Sequence, residues 1–149
     1  MPEQGIQLLA KEALEAAVPL VKTVYQNQGY SSVDKRVWTQ DVPESSPEPW
    51  SVFEIADDTH SQYEDKESPV EVVFLGIDHF ATEAGATRPY MAALEIAKAV
   101  TTEMTGDSLS VDGHTIYDIR QQLNEPLSLT GSEQTNIYGF GQQYEIHIE

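Results

Sequence analysis

The sequence contains no cysteine. That excludes disulfides, thiolate metal sites and cysteine nucleophiles. It is poor in positive charge, with eight basic residues in 149. Tight nucleic-acid binding needs several cations to displace phosphate counterions, so none is expected here. No apolar run approaches the ~20 residues that cross a bilayer. The start, Met1-Pro2-Glu3-Gln4, lacks the basic and apolar regions of a signal peptide. The expectation is a soluble protein made in the cytoplasm, with no membrane partner. Also missing are a Walker loop, a G-x-G-x-x-G opening a helix, a G-x-S-x-G elbow and an H-E-x-x-H pair.

What the chain has in excess is acid. Twenty-five Asp and Glu residues set the formal charge at −17, and they run from Glu3 to Glu149 instead of forming a tail. Apolar content is an ordinary 40%, so the chain should fold around a core and not remain a solvated acidic segment. Self-repulsion weakens such a fold in dilute buffer. Salt relieves it, because the screening length falls from ~10 Å at 0.1 M to ~3 Å at 1 M. The composition therefore suits a high-salt medium.

At this length one domain, residues 1–149, is expected. Ile6, Leu9, Ala13 and Ala16 form one stripe of a helix from about Gly5 to Ala17. Pro19 ends or kinks it, and a further turn from Leu20 reaches Gln26 before Gly29 stops the helix. Val33–Gln40 reads as a short strand, 42–49 as a proline-rich loop, and Trp50–Ala56 as a second strand. A polar, acidic connection spans 57–69. Val70–Ile77 is nearly continuous in apolar residues, the mark of a strand covered on both faces. A second helix opens at Thr87 or Arg88 with Pro89 in its first turn, carries Tyr90, Leu94, Ala97, Thr101 and Met104 as its stripe, and ends at Gly106. His114–Leu123 is a strand by propensity, 124–137 a loop or arm. In the last strand Tyr138, Phe140, Tyr144, Ile146 and Ile148 alternate with polar and glycine residues, which predicts one wet face. The sum is an α+β domain in which a mostly antiparallel sheet carries both helices on one face.

Chemical signals are weak. Asp57, Asp58, His60, Glu64 and Asp65 offer cation ligands but lack the glycine and spacing of an EF-hand loop, and a solvated acidic loop is the simpler reading. Asp78-His79 follows the long strand, where α/β proteins often carry catalytic groups, yet no nucleophile stands in a strained turn nearby. Catalytic, cofactor and metal residues are therefore expected to be absent, and an enzyme is not expected. Trp38 and Trp50 flank the proline loop and suit a partner surface, although Trp50 suits the core equally. Arg88 could reach a neighbour's carboxylate or cap its own helix. With Phe140 these are the candidate interface residues.

The order of elements resembles the tail terminator (tail-completion, or neck) proteins of long-tailed phages and haloarchaeal tailed viruses. Val37-Trp38, the loop 42–48, Pro49-Trp50-Ser51-Val52-Phe53, Val70–Asp78, Tyr90–Met104, His114–Leu123 and Tyr138–Ile148 stand in the places of that family's elements. The stretches 57–69 and 124–137 depart from it. The resemblance implies a structural virion protein: a hexameric ring at the head-proximal end of the tail tube that stops tube polymerisation, joins tail to head connector and lets DNA pass unbound. The implied partners are a tail tube protein and a head-closure or connector protein, and no cofactor is implied. The alternatives are another neck or tail-tube protein, or a small halophilic ligand-binding or enzymatic domain.

Overall fold

The computed structural model describes residues 2–39, 42, 46–55, 70–82, 88–106, 108–130 and 136–149. Helix α1 (Pro2–Asn27) passes through Pro19 without stopping. Its buried stripe is Leu9, Ala10, Ala13, Leu14, Ala17, Val21, Val24 and Tyr25, longer than the sequence stripe because packing carries the helix past the proline. The end is a Schellman turn. Tyr30 N–H donates to Tyr25 O and Gly29 N–H to Gln26 O, with Gly29 at φ +90° and the Tyr25 and Tyr30 rings 5.7 Å apart.

Val33–Lys35 forms a 3-10 turn, so only Val37–Trp38 (β1) remains of the strand expected over 33–40. The other strands are β2 (Trp50–Ile55), β3 (Glu71–Thr82), β4 (Ile116–Thr130) and β5 (Asn136–Ile148). Among the described residues they make a five-stranded sheet in the order β1-β2-β3-β5-β4. Only the β1–β2 pair is parallel. Helix α2 (Pro89–Thr105) buries Ala93, Ile96, Ala97, Val100 and Met104. Its centre of burial is thus rotated from the expected stripe, which leaves Tyr90 39% exposed.

Parity along the strands places the core. Phe53, Val73, Leu75, Ile77, Tyr144, Ile146 and Ile148 share one cluster with α1 and α2 residues. Both helices therefore pack on that face, and the α+β expectation holds. The opposite face is not bare as expected: Val72, Phe74 and Phe80 are buried, and the Glu145 and His147 side chains are only 12% and 15% exposed. This matches the two-sided apolar run of β3, which is buried on both faces over most of its length.

The largest departure is the expected loop 124–137. Residues 124–130 are the second half of β4 and 136–137 begin β5, in register from Asn124↔Gln142 to Thr130↔Asn136. Pro126 is compatible with a strand because β4 is at the sheet edge, where a missing N–H breaks no ladder. Register shifts at Tyr117 and Gln122 mark two bulges in the same edge.

Candidate functional site

Three polar residues occupy inward positions between apolar ones on adjacent strands: Ser51 on β2, His79 on β3 and Gln142 on β5. Ser51 and His79 have no exposure and Gln142 has 2%. Register explains their meeting, since Ser51 pairs with His79 and Gln142 stands beside Ile77, two residues along the same face. Tyr25 OH lies 2.7 Å from Ser51 Oγ, Ser51 Oγ 2.6 Å from His79 Nδ1, and His79 Nε2 2.8 Å from Gln142 Oε1. Gln142 Nε2 donates to Ala97 O at 3.0 Å and to Thr101 Oγ1 at 2.9 Å. The Tyr144 hydroxyl adds a donor to Gln142 Oε1 at 3.1 Å.

The Ala97 carbonyl can only accept, so it orients the whole chain. Gln142 must present its amide nitrogen to α2 and its oxygen to His79. His79 then carries its proton on Nε2, leaving Nδ1 to accept from Ser51, whose oxygen accepts from Tyr25. Every donor points from α1 toward α2 through three strands. Burial pushes the His79 pKa down to about 4, with the Gln142 bond opposing that shift, and pushes Tyr144 up to about 12. A serine bonded to an imidazole looks like a nucleophile–base pair. With both residues sealed from solvent, no substrate reaches Ser51, and the chain serves to lock both helices to the sheet.

A second polar anchor sits at the rim. Arg36 is 7% exposed. It donates to Ser31 O and Glu48 O at 2.7 Å each and to Pro49 O at 3.3 Å, and it stacks 4.9 Å from the Tyr30 ring centre. Glu48 reaches across to β3, accepting from Thr82 N–H and, at 2.7 Å, from Thr82 Oγ1. Trp38 Nε1 donates to Lys35 O at 3.0 Å and to Ser46 Oγ at 3.1 Å. The described end of the proline loop is therefore tied down at both sides.

The candidate interface residues are dispersed. Trp38 is half-buried with its indole N–H engaged. Trp50 is half-buried with its ring 5.7 Å from Phe80. Arg88 is exposed at the N-terminus of α2 and makes no side-chain cap. Phe140 is 6% exposed, packed with Ala93 and Ala97 and 4.7 Å from the Tyr90 ring, so its surface is spent within its own chain. Asp78 and His79 lie inside β3 and not after it, on opposite faces of the sheet. Burial, then the charges of Glu54 and Glu125, raise Asp78 to about 6. The acidic connection 57–69 lies outside the described residues. Among the described residues no cluster of His, Asp and Glu is arranged to hold a metal ion, and no helix is long and apolar enough to cross a membrane.

Sequence reasoning missed the Ser51–His79–Gln142 chain, although a signal was there. Gln142 shares the parity of Phe140, Tyr144 and Ile146, and an amide between core residues needs a buried partner.

No family model and no curated protein matches the sequence. Among solved structures, a chain from the "Virion of native gene transfer agent (GTA) particle" matches with a TM-score of 0.52. The alignment covers 83% of this chain and 91% of that one, at 15% identity. The likeness is one of fold.

Proposed function

We propose that this protein is a structural component of a virion, of the tail terminator type. It forms a closed ring at the head-proximal end of a tail tube and joins the tail to a head connector while DNA passes. The observation that carries the reading is the fold likeness to a chain of a gene transfer agent virion over most of both chains. The order of elements supports it, as does the sealed Ser51–His79 pair, which leaves that pair no catalytic use. An acidic lumen would repel DNA and let it slide. Such a ring needs unlike surfaces that meet and close by rotation. With −17 on each copy, it assembles when salt screens the subunits. The virion would be built in the cytoplasm of a host living in high salt.

Light scattering in molar KCl, repeated after dialysis to low salt, tests the reading. Six copies at 16.6 kDa each give roughly 100 kDa, expected in KCl and lost without it. Large polydisperse material favours a tube protein. A monomer at every salt concentration overturns the ring, unless adding a tube protein restores it.

A further inference from the structure

A groove of about 490 Å³ runs between α1 and the segment before β4. It is lined by apolar Ala16, Pro19 and Val111 and by the acids Glu12, Glu15 and Asp112. Pro19 has no N–H, so the Glu15 carbonyl lacks its i→i+4 donor within the helix. The groove therefore combines carboxylates with an apolar lining, beside a helix turn that Pro19 leaves one backbone hydrogen bond short. Glu12 accepts from His114 Nε2 at 2.7 Å, and Lys11 stands 4.0 Å from Glu15. The chemistry that complements this groove is a guanidinium carried beside apolar side chains.

The start of α2 displays that combination. Exposed Arg88 precedes Tyr90 and Met91, which are 39% and 44% exposed on the first turn of α2. They are the only exposed large apolar neighbours in sequence among the described residues. With only eight basic residues in the sequence, an arginine flanked by apolar surface is one of few groups on a second copy that can complement the carboxylates of this groove.

The two features cannot meet within one molecule. Tyr90 rests on Phe140, near the start of β5. The groove lies by the other end of that strand, where Thr115 exchanges both backbone bonds with Glu149 and His114 Nδ1 bonds to Glu149 O. Nine residues of strand put roughly 30 Å between them. The β4 edge, with its two bulges and Pro126, is poorly suited to continuous strand addition.

We infer that the first turn of α2, carrying Arg88, Tyr90 and Met91, docks into the Pro19 groove of a second copy. The contact is heterologous, so repetition gives a ring if its rotation closes. This inference rests on the ring reading and names its interface.

The absence of cysteine makes a clean test possible. Met91→Cys and Ser110→Cys place thiols at two exposed positions, one in the α2 turn and one beside the groove. After mild oxidation in molar KCl, the double variant should give a ladder of disulfide-linked multimers on a non-reducing gel. Each single variant should stay monomeric on that gel. Arg88→Glu should cut the high-mass fraction in light scattering at least tenfold, and adding Glu15→Arg should restore most of it. A wild type that assembles while the double variant gives no ladder and Arg88→Glu assembles normally overturns the contact and spares the ring. A Met91→Cys variant that dimerises alone shows a like-to-like contact and also overturns it. A wild type monomeric in molar KCl, with or without a tube protein, overturns ring and contact together.

Discussion

His79 should make the fold acid-labile, and the size of the effect follows from its burial. The folded chain resists protonating this ring until about pH 4, against 6.5 for an ordinary histidine. The unfolded chain therefore binds the extra proton throughout that window, and stability falls as pH drops from 6.5 toward 4. Above 6.5 both states are neutral at this site and the contribution is complete. At ~1.4 kcal/mol per unit, the loss amounts to about 3 kcal/mol, a large part of the ~5–15 kcal/mol that stabilises a typical domain. The physical cost is a charge placed among Ser51, Gln142 and apolar side chains. Protonation also puts a proton on Nδ1, which must accept from Ser51 in the neutral chain. Urea unfolding followed by tryptophan fluorescence, in constant molar KCl at half-unit steps from pH 7.5 to 4.5, measures the effect. His79→Gln supplies the comparison, because it does not titrate and retains hydrogen-bonding groups. At pH 7.5 the variant should be less stable by about 1–3 kcal/mol. The gap should close as pH falls and reverse if the replacement cost is small. A difference that stays constant across the range, or widens toward acid, would refute the reasoning. So would an NMR titration in which the His79 ring responds near pH 6.5.

Asp78 carries the opposite sign. Its pKa, raised to about 6, means that the folded state takes up a proton first and gains stability as pH falls through 6. Asp78→Asn should therefore raise the urea midpoint at pH 7.5, with a benefit that shrinks below pH 6. Arg36→Met should lower stability by about 2–4 kcal/mol, by orphaning the carbonyls of Ser31, Glu48 and Pro49. Hydrogen exchange should then speed up at residues 48–51, and unchanged exchange there would count against the clamp. Gly139→Ala should be among the costliest small changes. Its Cβ would come within 2.1 Å of the His79 carbonyl oxygen and 2.8 Å of the Phe80 ring, so a loss above about 2 kcal/mol is expected. A thermal midpoint equal to wild type would show that the strands separate freely there.

The sequence by itself determined whatever depends on near neighbours or on totals. The −17 formal charge is a total that needs no knowledge of fold. The α1 stripe, Pro89 opening α2, the two-faced apolar run of β3 and the alternation of β5 are periodic signals, and periodicity is local. Tertiary structure decided what depends on partners far along the chain. Residues 124–130 look like a loop because they are polar and contain Pro126. They become strand because β5 supplies the bonds and an edge position forgives the missing N–H. Residues 33–35 became a 3-10 turn although their composition allowed a strand. The candidate interface residues were named one by one, and only the fold revealed that Phe140 is buried while Arg88 stands beside exposed Tyr90 and Met91. Ser51, His79 and Gln142 are 28 and 63 residues apart in sequence. Strand register brings them together, and register is set by the whole sheet. No single stretch of the chain contains it.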